Sequence, residues 1–267
     1  MENLLKDLRY SVRLFLHSPG FVATAVLSLA LGIGANTTIF SVFNVLILRP
    51  LPFKDSQQLV MLDEISPKEN DERNPKLSTV LEWRRHGRSF EQIEAATLWT
   101  SPGTLTGAGE AERVRLQFVS PDMFALLGVK PLLGRGFLPE DAPFDSGATI
   151  IISHGLWQRR LGGNSNILGQ TVIVQSQART IIGVMSPGFW VFPGAKDVDV
   201  WMALNLTNNK LTPDTRWLGA LARLKPGTTV GQARAEMDVF SRQQEQADPA
   251  VNRGWQESVE QMQKWFF

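Results

Sequence analysis

Residues 21–48, FVATAVLSLALGIGANTTIFSVFNVLIL, contain no charged side chain. A helix needs roughly 20 apolar residues to cross a hydrocarbon core ~30 Å thick. At ~1.5 Å per residue this run would reach about 42 Å, so it tilts or projects beyond the core. A buried helix of a soluble protein rarely needs such uninterrupted length. A cleaved signal has an apolar core of only about 7–15 residues followed by a small-residue site. The run is too long for that and begins late, at Phe21. The expectation is a retained transmembrane helix over 21–48, embedded in a lipid bilayer.

Inside this run lies ALGIGANTTIF, residues 30–40, whose two glycines are spaced like the start of a phosphate-binding loop. Such a loop needs a strand before it, a helix after it and free backbone N–H groups in water. Here apolar residues flank the glycines on both sides, and no Walker-type lysine follows. The chain shows no nucleotide site of its own. In a membrane helix, small residues four apart permit the close approach of a second helix. Ala30, Gly34 and Thr38 form one such row, and Ser28 with Gly32 forms another. These five are the candidate helix-packing residues.

Ahead of the span, Leu4, Leu5, Leu8, Val12 and Phe15 recur at helical spacing, with Lys6, Arg9 and Arg13 between them. This pattern predicts an amphipathic helix within residues 1–20, lying on the membrane surface with its basic residues in water. Ser18-Pro19-Gly20 is expected to break the chain before the span. Three basic residues flank the span on each side, in 1–20 and in 49–68, so charge alone does not orient it.

Mean hydropathy is −0.09, which excludes a chain built of many spans. Basic and acidic residues balance beyond residue 48, and the whole chain carries a net charge of +1, so nothing marks a nucleic-acid module. Cysteine is absent, which removes disulfides, thiolate metal sites and thiol nucleophiles. His17, His86 and His154 each stand alone, without the paired spacing of a zinc site.

From residue 49 to 267 helix and strand signals alternate, predicting an α+β domain, read as two lobes. Thr79 with Glu82 reads as a capping box opening TVLEWRRH, which Gly87 stops. ERVRLQFV reads as a strand, and Ser120, Pro121 and Gly128 as the cap, first position and end of a short helix. ATIIIS reads as a buried strand, SHGLWQRRLGG as a helix, and QTVIVQSQARTIIGVM as a hairpin. VDVWMAL and RWLGALARL supply further strands. Thr229 with Gln232 reads as a capping box for a helix whose apolar face is Val230, Ala233, Met237 and Phe240.

Candidate chemistry is thin. Asp197 and Asp199 have a chelating spacing, but no further ligand is near them in sequence, so they read as the solvated edge of a strand. Ser153-His154 reads as a helix start, where neighbouring side chains diverge, and not as a catalytic pair. Glu110, Glu112, Glu140 and Asp141 read as solvated turn residues. The tryptophans read mainly as core. No catalytic, metal or cofactor residues are identified, and the chain is read as a non-enzyme.

DLRYSVRLFLHSPGF and LALGIGANTTIFSVFNVLILRPLPF resemble the N-terminus of MacB/FtsX-type ABC-transporter permeases, in particular the duplicated permeases of acidobacteria. FVSPDMFALLGVKPLLGRGFLPED, ISHGLWQRRLGGNSNILGQTVIV and LARLKPGTTVGQARAEM resemble the periplasmic core domain of that family. The resemblance implies an inner-membrane subunit with a cytoplasmic N-terminus and a periplasmic main domain. It implies a partner ABC ATPase, a permease homodimer or paired permease, and a periplasmic adaptor as a further partner. Cytoplasmic ATP hydrolysis would be relayed to the outer domain as mechanical work. Members of the family continue into further spans where this chain stops at QKWFF, so a permease fragment is expected. The alternative reading is a single-span anchored interaction or sensor domain without transport.

Overall fold

The computed structural model describes residues 19–43, 51–66, 68, 71–107, 109–142, 149–207, 212, 214 and 216–264. The expected membrane-surface helix with Lys6, Arg9 and Arg13, and residues 44–48 of the expected span, lie outside the described residues. The chain divides into two units, residues 1–50 with Phe267, and residues 51–266.

The first unit holds helix α1 (Pro19–Phe43). Pro19 does not break the chain before the helix. It is the first helical residue, where the missing N–H costs nothing. Twenty-five residues give about 38 Å, enough to cross a bilayer. Apolar side chains stand exposed on every side of α1, Phe21 and Leu31 among them. The Thr24 and Thr38 hydroxyls donate to the carbonyls of Gly20 and Gly34, at 2.9 and 2.8 Å. These two hydroxyls thereby find partners within their own helix, as lipid favours.

The second unit contains β1 (Leu59–Ser66), β2 (Asp71–Arg73), α2 (Leu77–His86), β3 (Phe90–Thr97), β4 (Ser101–Thr106) and β5 (Glu112–Val119). There follow α3 (Met123–Leu127), β6 (Leu133–Gly134), β7 (Thr149–Ile152), α4 (His154–Leu161), β8 (Thr171–Val174) and β9 (Gln177–Val184). The chain ends with β10 (Val200–Ala203), β11 (Leu218–Leu224), α5 (Val230–Ala247), α6 (Pro249–Asn252) and β12 (Gln256–Gln261). The mixed α/β expectation holds.

The strands form one connected sheet with two parts of different character. β12, β1, β11 and β3 make an antiparallel sheet. Alternation sends Val60 and Leu62 to one face, beneath α2 and α5, with Trp83, Ala233 and Met237. Leu59 and Met61 go to the other face, beneath α3, with Phe124 and Leu127. β4, β5, β10, β7, β9 and β8 pair in a ring, because β10 bonds both β7 and β5. The ring is a closed six-stranded barrel filled by Leu105, Val114, Leu116, Ile150, Val172, Ile181 and Val200.

Sheet and barrel meet through one registered strand pair, Ala96 with Val119. Buried Gln117 reinforces the join. Its amide donates to the Thr97 carbonyl at 2.9 Å, and its carbonyl accepts from the Trp201 indole at 2.9 Å. Gln117→Leu would leave the Thr97 carbonyl and the indole N–H unpaired in the interior. The expected loss is about 2–3 kcal/mol of unfolding free energy, read by denaturant unfolding in detergent. An unchanged midpoint would show that the join does not depend on this side chain.

Two helix starts differ from the sequence expectation. Ser120 does not cap α3; its hydroxyl accepts from the Ala95 N–H, fastening β3 to the end of β5. Thr79 does not open α2 as part of a capping box. The helix begins at Leu77, and the Thr79 hydroxyl donates to Glu64 on β1. In both places a buried tertiary partner outcompetes the local cap. The Thr229–Gln232 capping box forms as expected, with both reciprocal bonds present. α5 also covers the outer edge of β12. Ser241 accepts from the Glu257 N–H, and Arg234 donates to the Val259 carbonyl, each at 2.9 Å. That edge is therefore closed to strand addition.

Candidate functional site

In α1 the sequence-predicted packing residues fall on two faces. Ala30, Gly34 and Thr38 share one stripe, and Ser28 and Gly32 share another about 200° around the helix. A Cβ placed on Gly32 or Gly34 would meet nothing within 4 Å. Both faces are thus shallow, and nothing among the described residues covers the two glycines.

At the start of the second unit, the lead-in Leu51–Gln58 is fixed by a set of contacts that sequence reasoning missed. Phe53 is buried and meets Trp190 edge-on, with centroids 5.2 Å apart. The Lys54 N–H donates to the Leu127 carbonyl, and Gly128 passes so close that an added Cβ would sit 2.4 Å from that of Lys54. Gly128 also takes the left-handed conformation that ends α3, so glycine is needed there twice over. Arg223 of β11 closes the set. Its guanidinium donates to the Leu126 carbonyl at 3.0 and 2.6 Å, to Lys54 at 2.8 Å and to Asp55 at 3.4 Å. A register shift after Arg223 accompanies this placement, as bulges commonly re-aim side chains. One buried cation therefore ties the lead-in, the C-terminus of α3 and the central strand together.

The opposite end of the sheet carries an acidic pair. Glu64 on β1 and Glu257 on β12 are cross-strand neighbours, and both are buried. Glu64 accepts from Arg73 at 2.6 Å, from Arg216 at 3.0 Å and from Thr79 at 3.2 Å. Arg73 in turn lies 3.4 Å over the Trp255 ring. Among the described residues Glu257 has no ion-pair partner within 4 Å, Arg73 acting on it only at longer range, and one of its carboxylate oxygens has no hydrogen-bond partner. Burial pushes its carboxyl up to about 8, and Glu64 and Asp238 add to the rise. Asp63, on the adjoining position of β1, is pushed up to about 7 by burial, with Glu72 and Glu64 contributing.

The residues singled out for chemistry resolve into structural roles. Ser153 caps α4 by accepting from the Leu156 N–H, and His154 packs edge-on against Trp157. Asp199 is not a solvated edge residue. It is buried, accepting from Arg159 of α4 at 2.7 Å and from the Arg115 N–H of β5 at 2.9 Å. Asp197 remains exposed beside Arg115. Asp141 is also buried, contrary to the turn reading. Burial alone would raise its carboxyl, but Arg135, the Leu138 N–H and Thr149 outweigh that and hold it below the usual range. Glu112 pairs with Arg159 and Arg160. Among the described residues no group of three or more His, Asp or Glu is placed to hold a metal ion. Trp83 and Trp201 are core, whereas Trp99 and Trp217 are exposed.

The MacB-like periplasmic core domain profile matches residues 22–239. The chain is 31% identical over 109 residues to a Pseudomonas syringae pv. syringae protein named "Probable syringafactin export ATP-binding/permease protein SyfD". That match covers 41% of this chain and 16% of the relative's length. The periplasmic region of MacB from Actinobacillus actinomycetemcomitans superposes with a TM-score of 0.56 at 14% identity, covering 79% of this chain and 91% of that one. The extracellular domain of the noncanonic ABC-type transporter YknZ from Gram-positive bacteria superposes with a TM-score of 0.51 at 17% identity, covering 75% and 99%.

Proposed function

The chain belongs to the MacB-like periplasmic core domain family of ABC transporter permeases, and from that membership we propose that it serves as a membrane subunit of an ABC-type export or mechanotransmission system. The observation that carries the reading is the pairing of this domain with one charge-free apolar helix ahead of it. In this reading α1 crosses the inner membrane and the second unit lies in the periplasm. A separate ABC ATPase supplies the energy, and the chain itself performs no catalysis. A second permease chain, identical or paired, completes the path, and the domain works on a cargo or an adaptor outside the membrane. The open sheet and the barrel are the two lobes of the outer domain. The Arg223 cluster receives displacement from the lead-in and passes it to the central strand. The SyfD relative is named for syringafactin export, and syringafactin is a starting cargo for transport assays.

Purification of the full chain from its native membranes, with mild crosslinking, tests the ATPase coupling. Stoichiometric recovery of an ATP-binding subunit is expected. Its absence under conditions that retain permease–permease contacts would favour the anchored interaction domain instead.

The small-residue faces of α1 supply a second test. We propose that Ala30, Gly34 and Thr38 seat one neighbouring span, and Ser28 with Gly32 another. Gly34→Leu fills the first face and is expected to lower in-membrane crosslinking yield about fivefold. An unchanged yield would place that face against lipid.

A further inference from the structure

A groove of about 870 Å³ runs between the last turn of α2 and the outer flank of α5. Its α5 wall presents Val239, Phe240, Gln243 and Ala247, uncharged beyond Glu236, which lies one turn before Phe240. Val239 is 47% exposed although it is a large aliphatic side chain. At 1.5 Å per residue the row extends for about 12 Å, more than two helical turns. The opposite wall carries Arg85, Arg88 and Lys225.

The charges of the groove do not cancel. Glu82 is shared by Arg85 at 2.8 Å and His86 at 3.3 Å. Glu236 spends its two oxygens on the backbone N–H groups of Arg88 and Ser89, at 2.5 and 2.8 Å. Burial would raise its carboxyl, but these bonds, with the Ser89 side chain and the Arg88 charge, hold it below the usual range. Neither Arg88 nor Lys225 has an ion-pair partner among the described residues. The α5 wall thus offers Val239 and Phe240 beside one carboxylate, and the opposite wall carries three cations, Arg85, Arg88 and Lys225, against the two carboxylates Glu82 and Glu236 of the groove.

We infer that this groove docks an amphipathic helix of a partner protein, with its apolar row over Val239 and Phe240 and its acidic flank toward Arg88 and Lys225. A helix suits the site better than a strand. The wall is itself a helix offering ridges for side-by-side packing, and the nearby β12 edge is already closed by Ser241 and Arg234. The charge difference between the walls orients the ligand helix about its own axis. The inference rests on the surface of the domain alone and stands whether or not an ATPase is recovered with the chain.

The experiment uses the full chain in phosphatidylcholine nanodiscs and two fluorescein-labelled synthetic helical peptides. Both carry leucine at i, i+3, i+4 and i+7, and one flank is glutamate in the first and lysine in the second. Fluorescence anisotropy is expected to show the glutamate peptide binding at least tenfold more tightly. The double variant Arg88→Glu with Lys225→Glu should abolish or invert that preference. Val239→Asp should weaken binding of the preferred peptide tenfold with an unchanged melting curve. Binding of neither peptide, equal binding of both, or a preference that survives the double reversal would overturn the inference. Displacement of the peptide by phosphatidylglycerol vesicles but not by unlabelled peptide would overturn it too, making the groove a lipid site.

Discussion

Replacement of Arg223 by methionine is expected to lower the unfolding free energy by about 3–5 kcal/mol. Methionine preserves much of the apolar stem but supplies no donor. The carbonyls of Leu126 and Lys54 would then be left without the guanidinium that now bonds them. An interior polar group stripped of its partner costs about 1–3 kcal/mol, and two are stripped here, with the weaker Asp55 bond lost as well. Arg223→Lys should recover only part of this, because one ammonium cannot span carbonyls on two separate segments as a planar fork does. The effect should also be local. Hydrogen exchange in full-length protein should rise first in residues 51–58 and in the last turn of α3, ahead of global unfolding. Equal acceleration throughout the domain would show that Arg223 stabilises the core generally and does not specifically clamp the lead-in. In the transporter reading the clamp matters more than the energy. Nucleotide-dependent changes at a label in the barrel should be lost in Arg223→Met at temperatures where the domain is still folded.

Arg223 also shows where the sequence was legible and where it was not. Strand alternation, the hairpin and the Thr229–Gln232 cap are local signals, and each element formed where its residues predicted it. The closed barrel was not legible, because its last seam joins Val200–Ala203 to Leu116–Val119 across more than eighty positions. Ser120, Thr79, Asp141 and Asp199 were misplaced for the same reason. Each is a short polar side chain that local rules assign to a cap or to solvent. Each is claimed by a partner on another element or across a turn. A usable signal did exist in two places. LGALARL is buried at every position, so its arginine needed acceptors. LVMLDEIS is nearly as buried, so its two carboxylates needed either cations or protons. Reading a charge inside an apolar strand as a demand for distant partners would have pointed to both clusters, though not to Lys54 or Arg216 by name. The small-residue faces of α1 are legible as spacing, but spacing does not identify what packs against them.

The second of those clusters carries a prediction of opposite sign to ordinary acid denaturation. Glu257 has a folded-state value of about 8 against an ordinary 4.5, and Asp63 about 7 against 3.8. Between these limits the folded protein holds protons that the unfolded chain has released. Stability therefore falls as pH rises through that window. The contribution of Glu257 is fully present below pH 4.5 and is lost as pH climbs through about 8. Its span is on the order of 5 kcal/mol. The physical source is the asymmetry of the pair. Glu64 accepts from two arginines, whereas Glu257, buried beside it, has an oxygen that no hydrogen bond satisfies among the described residues. Only the protonated form suits that position. Glu257→Gln keeps the size of the side chain and removes the titration. It should melt higher than the parent protein at pH 8, equal it near pH 5, and show a flatter profile between. Adding Asp63→Asn should flatten the profile further around pH 7, since the two groups share the Glu64 field. Glu64→Gln should act the other way on stability, because it strips Arg73 and Arg216 of a shared buried carboxylate, a change worth about 3–5 kcal/mol where no substitute partner exists. A parent protein whose melting temperature rises from pH 5 to pH 8, or a Glu257→Gln profile parallel to it, would mean that Glu257 is ionised in the fold and that a cation reaches its second oxygen.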